Sequence, residues 1–324
     1  MRPIRLSEYF KRYSVINSKP KLIHFISILP SVFKQGPIAI SYFLRFVRAN
    51  QIPNLDETLN LQNPPEIVIA VIATQKDFYL LKFCIEFGVR NSINPVEKIC
   101  IITPAAFTEE CTILTRGFQI TLPIEVISEE TLISNEDRNK VKLRFKANYG
   151  WILQQVLKLS FVMKQESAGV LIIDADTVIL KPTLWVDRNS RQILLVSSEF
   201  HKPYYIFLQK IGLISKNPRY TFVTHHMLFQ PKILKSILNR VSIKSISNLI
   251  DLVVTLSDKN NSLPVCIEYE IYGQGILKFY SELTILSRFC NLPIRHESHQ
   301  LDNVSIARDY SVIYKSISLH SYLH

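Results

Sequence analysis

At 324 residues, 47% hydrophobic and 20% charged, the chain is long enough to bury one large α/β domain with an appendage, or two smaller domains, and is not a disordered polypeptide. It has only eight glycines and neither a G-x-G-x-x-G nor a G-x-x-x-x-G-K-[ST] motif, which argues against Rossmann dinucleotide binding and P-loop chemistry. The formal charge is +11, and residues 1–50 supply +8 of it, with nine Lys/Arg against the single acid Glu8. A local excess of this kind implies a polyanionic partner.

Residues 1–66 read as a basic amphipathic extension and linker. Leu22, Phe25, Ile26, Leu29, Val32 and Phe33 share one helical face, interrupted by Pro30, and Ile40, Phe43, Leu44 and Val47 repeat the pattern. Both runs fall well short of the roughly 20 apolar residues that span a bilayer. The first lacks the small-residue cleavage site of a secretory signal, so no export is expected. Short amphipathic helices flanked by Lys and Arg suit the inner face of the cytoplasmic membrane, where basic residues meet anionic lipid. Packing on the globular domain is the other reading. Nucleic-acid binding is disfavoured because no recognised motif accompanies the charge. The five cysteines are scattered and form no C-x-x-C pair, as expected of reduced thiols in a cytoplasmic protein.

The globular part, 67–324, opens with Ile67–Thr74, a β-branched run expected as a buried strand. It ends at Thr74-Gln75-Lys76-Asp77, and a helix pattern runs from Phe78 to Val89. Thr74 and Asp77 are candidates for ligand contact at the end of that strand; Asp77 also suits an N-cap. Lys98–Thr103 and Ile124–Ser128 are further strands, with a helical stretch between them. Alternation of this type predicts a mainly parallel sheet with flanking helices. The helix from Trp151 turns Ile152, Val156 and Leu159 inward, which leaves Gln155 and Lys158 elsewhere on its surface. Arg144 and Lys158 are candidates to neutralise a diphosphate, and a solvated face is the alternative for either.

The central stretch is Val170–Pro182. Four apolar residues lead into Asp174-Ala175-Asp176, a pattern expected of a strand buried on both faces with two carboxylates at its carboxyl end. Such oxygen ligands suit Mg²⁺ or Mn²⁺, which in turn hold phosphate oxygens. Turns and helix caps also favour aspartate.

Here the chain resembles a bacterial glycosyltransferase of GT-A fold, closest to the DUF6492 family. The resemblance rests on the two strand–helix units, the Gly150-Trp151-x-x-Gln154-Gln155-x-x-Lys158 helix and the Leu171–Pro182 strand, and covers roughly residues 67–324. It implies a GT-A-like, Rossmann-like mixed sheet with a nucleotide-sugar half (67–190) and an acceptor half (191–324). It places Asp174 near the sugar or ribose, Asp176 on the metal, and a late histidine, His320, in the metal shell; His324 is the terminal residue. It also implies a nucleotide-diphosphate sugar as donor, with Thr74, Asp77, Arg144, Lys158 and Asp174 as its candidate contacts; the basic N-terminus points to a saccharide or lipid-linked acceptor in cell-surface polysaccharide synthesis at the cytoplasmic membrane.

In the second half, Gln192–Ser197 is a strand and Tyr204–Ile214 a helix or lid. His225-His226 precedes an apolar strand and suits ordinary packing. Cys266–Gly273 resembles a family segment, and Glu268 and Glu270 share a face if the chain is extended there. One of them, Glu270 ahead of Glu268, is the candidate base for an acceptor hydroxyl, with acceptor positioning or helix capping as the alternatives. His296 and His299 read as loop residues. Asp174-Ala175-Asp176-Thr177-Val178 also fits a haloacid-dehalogenase nucleophile motif, but several strands precede it and no late acidic pair follows. A non-enzymatic basic binding protein is the remaining alternative.

Overall fold

The structure, a computed structural model, describes residues 51–52, 62–197, 199–257, 265, 268–295, 311 and 314–320, with backbone alone at 294, 295 and 320. The amphipathic patterns at 22–33 and 40–47 lie outside the described residues.

The chain builds β1 (Ile67–Ile72), α1 (Phe78–Arg90), β2 (Val96–Thr103), α2 (Thr108–Thr115), β3 (Ile124–Ser128), α3 (Asn135–Phe145), α4 (Tyr149–Met163), β4 (Val170–Asp174) and β5 (Thr177–Ile179). It continues through β6 (Gln192–Val196), α5 (Lys202–Lys210), β7 (His226–Phe229), α6 (Pro231–Arg240), α7 (Ile246–Leu256), α8 (Glu268–Phe279), β8 (Thr284–Arg288), β9 (Asn291–Arg295) and β10 (Ser316–His320).

The fold is mixed α/β around a five-stranded sheet in the order β3-β2-β1-β4-β7. Its first four strands are parallel, and β7 closes the edge antiparallel to β4. All six residues of β1 are buried, because helices cover both faces of the sheet. Val68, Ala70 and Ile72 join the core that contains Ile152, Val156 and Leu159 of α4. Ile67, Ile69 and Val71 join the opposite core with Leu81, Cys84 and Ile85 of α1. This even/odd division is the two-residue period of a strand seen from both sides.

After Asp174 the chain turns through Ala175 and Asp176 and leaves the main sheet. β5 pairs antiparallel with β10, which pairs parallel with β9. Buried hydroxyls tie these strands together: Thr177 to Ser318 (3.1 Å), and Ser316 and Ser318 to Asn291 Oδ1 (2.8 and 3.3 Å). β6 and β8 form a separate parallel pair.

Two expectations change. The Tyr204–Ile214 stretch contains α5, whose Tyr204, Tyr205, Phe207 and Leu208 are buried; it packs into the larger core instead of lying over the cleft as a lid. The Glu268–Gly273 segment is helical, not extended. Its glycines disfavour a helix intrinsically, but close packing overrides that preference. A Cβ on Gly273 would stand 2.4 Å from Phe222 Cδ2, and one on Gly275 2.4 Å from Ile237 Cγ2. Both glycines let α8 lie flush against its neighbours.

Candidate functional site

The strand order creates the crevice. From β1 the chain moves outward to β2 and β3, then crosses back to place β4 on the other side of β1. In open α/β sheets this reversal leaves a cleft at the carboxyl ends of the two central strands. Ile72 and Asp174 are in register, so the loop after β1 and the turn after β4 flank that cleft at the same height. Thr74 and Asp77 are in that loop. The Asp77 carboxylate accepts from Thr74 N (3.0 Å) and Thr74 Oγ1 (2.9 Å). It therefore braces the loop and makes no side-chain cap on α1.

Across the cleft, Asp174 is held by three side chains. Its Oδ1 accepts from Lys158 Nζ at 2.6 Å and from Tyr269 Oη at 3.0 Å, and its Oδ2 lies 3.4 Å from His225 Nδ1. Burial works to raise the Asp174 carboxyl, but the Lys158 charge, with His225, outweighs it and holds the group well below the usual carboxylate range. Lys158 is 3% exposed and also reaches Glu268 Oε1 at 2.9 Å and Tyr269 Oη at 3.2 Å. Burial alone would lower its pKa; Asp174 and then Glu268 raise it well above the ordinary lysine value. Lys158 is thus a permanently charged rivet between α4, β4 and α8, and not a surface group. Gln155, expected on the same surface, is likewise buried.

The histidine pair divides into two environments. His225 faces Asp174. Burial opposes its protonation, yet Asp174 first, and then Asp176 and Glu199, raise its pKa. His226 shares the Phe289 ring with His225 (centroids 5.8 and 6.0 Å), is 1% exposed, and lies edge-on to Trp185 with ring centroids 5.5 Å apart. Burial lowers its pKa to about 3, so it is a neutral core residue. The Glu199 charge acts on His225, and its Oε1 lies 2.5 Å from His201 Nε2.

Asp176 is half-buried beside Asp174. Its carbonyl accepts from Leu319 N at 2.8 Å, which sets the backbone of His320, the last residue of β10, next to the Asp-Ala-Asp turn. The His320 side chain lies outside the described residues. Among the described residues no group of three or more His, Cys, Asp and Glu side chains is arranged to hold a metal.

The other candidates are placed differently from their sequence reading. Arg144 donates to Val254 O (3.1 Å) and Ser257 O (2.7 Å), so it caps the last turn of α7 and is not directed at the aspartates. Glu270 is fully buried and accepts from Tyr205 Oη (2.9 Å), Phe222 N (2.7 Å) and Gln274 Nε2 (2.9 Å). A carboxylate engaged in this way is a packing acceptor and is badly placed to take a proton from an acceptor hydroxyl. Glu268 is 3% exposed and committed to Lys158, so it too is corrected from base to counter-ion. On a helix the two glutamates also point to different sides. The sequence reading missed Tyr269, Glu199 and the role of His225. The only available signal was polar residues beside apolar strands and inside an otherwise apolar helix.

A family model described as the family of unknown function DUF6492 matches residues 89–320. No curated protein matches the chain. Among solved structures, the apo form of mouse xyloside xylosyltransferase 1 is similar at 12% identity, with a TM-score of 0.44, over 80% of this chain and 99% of that one. The apo structure of the bifunctional glycosyltransferase WbbM is similar at 13% identity, with a TM-score of 0.42, over 84% of this chain and 48% of that one. The DUF6492 match extends over most of the sequence and runs from α1 to the end of β10: the chain belongs to the DUF6492 family.

Proposed function

We propose that the protein is a metal-dependent glycosyltransferase that moves a sugar from a nucleotide-diphosphate donor to a saccharide or lipid-linked acceptor. One observation supports this above the rest. At the switch-point cleft an ionised, fully counter-charged Asp174 stands beside a half-buried Asp176 whose turn abuts the end of β10. Asp174 is neutralised from within the protein. Asp176 and His320 are therefore the residues that would hold Mn²⁺ or Mg²⁺. Carboxylate and imidazole donors fit such an ion. When bound, it supplies positive charge for the diphosphate.

The chain's own groups do the rest. Lys158 keeps Asp174 ionised and fixed in direction, so its outer oxygen can accept from a ribose or sugar hydroxyl. The braced Thr74–Asp77 loop forms the opposite wall for the nucleotide. Tyr79 is 51% exposed at the start of α1 and within electrostatic reach of Asp77 and Asp176; it offers a ring face to the base. In the transfer, an acceptor oxygen bonds to the anomeric carbon, the bond to the diphosphate oxygen breaks with its electron pair, and the acceptor proton leaves to a carboxylate or to solvent. The basic segment 1–50 suits docking on anionic lipid, in keeping with a lipid-linked acceptor in cell-surface polysaccharide synthesis.

Thermal-shift titration of the full chain with a panel of nucleotide sugars, with and without Mn²⁺, tests this reading. Saturable, metal-dependent stabilisation that Asp176→Ala abolishes is the expected result. Binding unchanged in that variant would sink it.

A further inference from the structure

Side-chain contacts and charges lead from Asp174 toward the protein surface, and α4 leads back. From Asp174 they pass through His225 to Glu199, whose charge acts on His225. Glu199 contacts His201, and the His201 ring lies 4.8 Å from that of Tyr204. Tyr204 stacks on Trp151 with centroids 6.3 Å apart. Trp151 precedes Lys158 by seven residues on α4, which places it about 10 Å farther along the helix and within about 20° of the same side. Gln155 lies between them and donates to Trp151 O at 3.3 Å. Lys158 then returns to Asp174. In a parallel sheet the helix before a strand starts at the cleft side, so the Trp151 end of α4 stands above the aspartates.

Trp151 is 37% exposed, one of few large apolar side chains among the described residues that are. Glu199 and His201 are each about a quarter exposed. A part-exposed indole linked through Tyr204 to an imidazole and its carboxylate partner suits a saccharide, whose C–H face stacks on an aromatic while its hydroxyls hydrogen-bond to polar groups farther along.

We propose that Trp151, Tyr204, His201 and Glu199 form the acceptor saccharide subsite, with the pyranose stacked on Trp151 and a hydroxyl donating to Glu199. This deepens the glycosyltransferase reading and rests on it. The acceptor thereby approaches from the α4–α5 side, opposite the Thr74–Asp77 wall. Glu199, and not Glu270, is the carboxylate that meets the acceptor.

The chain has two tryptophans, and Trp185 is 1% exposed, so acrylamide-accessible emission reports Trp151. The experiment titrates the full chain with a panel of methyl pyranosides and disaccharides and follows acrylamide quenching. At least one sugar should shield Trp151 saturably. Glu199→Gln, an isosteric change at a part-exposed site, should weaken that binding about tenfold, and Leu143→Ala on the exposed surface of α3 should leave it unchanged. Shielding by no sugar in the panel, or equal shielding in Glu199→Gln, overturns the subsite. Acceptor-free hydrolysis of nucleotide sugars by the wild type is measured in parallel. No metal-dependent thermal shift with any nucleotide sugar, together with no hydrolysis and intact shielding, would discard the transferase reading and retain the saccharide site.

Discussion

Lys158 Nζ lies 2.6 Å from Asp174 Oδ1 where only 3% of the lysine is exposed, and 2.9 Å from Glu268 Oε1 on the other side. One cation therefore compensates a carboxylate of β4 and a carboxylate of α8, the latter 110 residues from Lys158 in the chain. Removing it strands both. Lys158→Met should destabilise the protein by about 3–5 kcal/mol, the range for one-sided loss of a buried pair. Adding Glu268→Gln should recover part of that loss. Urea midpoints of the single and double variants measure the coupling; simple additivity would show that the pair is not a unit.

Glu270→Ala leaves three buried donors, Tyr205 Oη, Phe222 N and Gln274 Nε2, without their acceptor. Each unsatisfied group costs about 1–3 kcal/mol, so the expected outcome is a large fall in Tm. Turnover per folded molecule should change little. A normal Tm with abolished turnover would restore Glu270 as the base.

The two histidines give stability opposite dependences on pH. His225 has a raised folded pKa, so its contribution is fully present below the ordinary histidine value and is lost as pH rises through its folded pKa. His226 is neutral when folded, down to about pH 3, whereas the unfolded chain protonates near 6.5. Its effect is a loss of stability as pH falls between those values, at up to about 1.4 kcal/mol per pH unit. Asp174, with its lowered folded pKa, adds a further loss as pH drops below the ordinary carboxylate range. Denaturation midpoints from pH 4 to 8 should therefore fall on the acid side, and His226→Leu should flatten that limb. An unchanged slope in His226→Leu would contradict the assignment.

Gly273→Ala should cost about 1–3 kcal/mol by overpacking, since the new Cβ would meet Phe222 at 2.4 Å. The Phe222 ring cannot retreat freely, because its backbone N is fixed by Glu270. Phe222→Leu in the same chain should recover part of the loss, which differential scanning calorimetry would detect as a partial return of Tm.

The strands around the cleft were legible because β1 and β4 are unbroken apolar runs buried on both sides, and such runs have few alternatives. The Asp-Ala-Asp turn followed from where those runs stop. Lys158 was not legible. Periodicity pointed Ile152, Val156 and Leu159 inward, but no local pattern announces that Glu268 will arrive to make a buried lysine tolerable. The α8 segment misled for a different reason: Glu-Tyr-Glu-Ile-Tyr-Gly alternates like a strand, and the glycines that appear to break a helix are needed for its contact with Phe222 and Ile237.

The antiparallel pairing of Ile173 with His226 has a consequence for synthesis on the ribosome. When the first 190 residues have emerged, β4 is complete but its outer edge has no partner, and Lys158 and Asp174 still lack Glu268. An apolar strand with an open edge is a template for pairing with other chains. The nascent chain should therefore pass through an association-prone interval that ends only when β7 and α8 have been made. A chain stopped at 190 should accumulate as aggregate and not as a separable nucleotide-binding half.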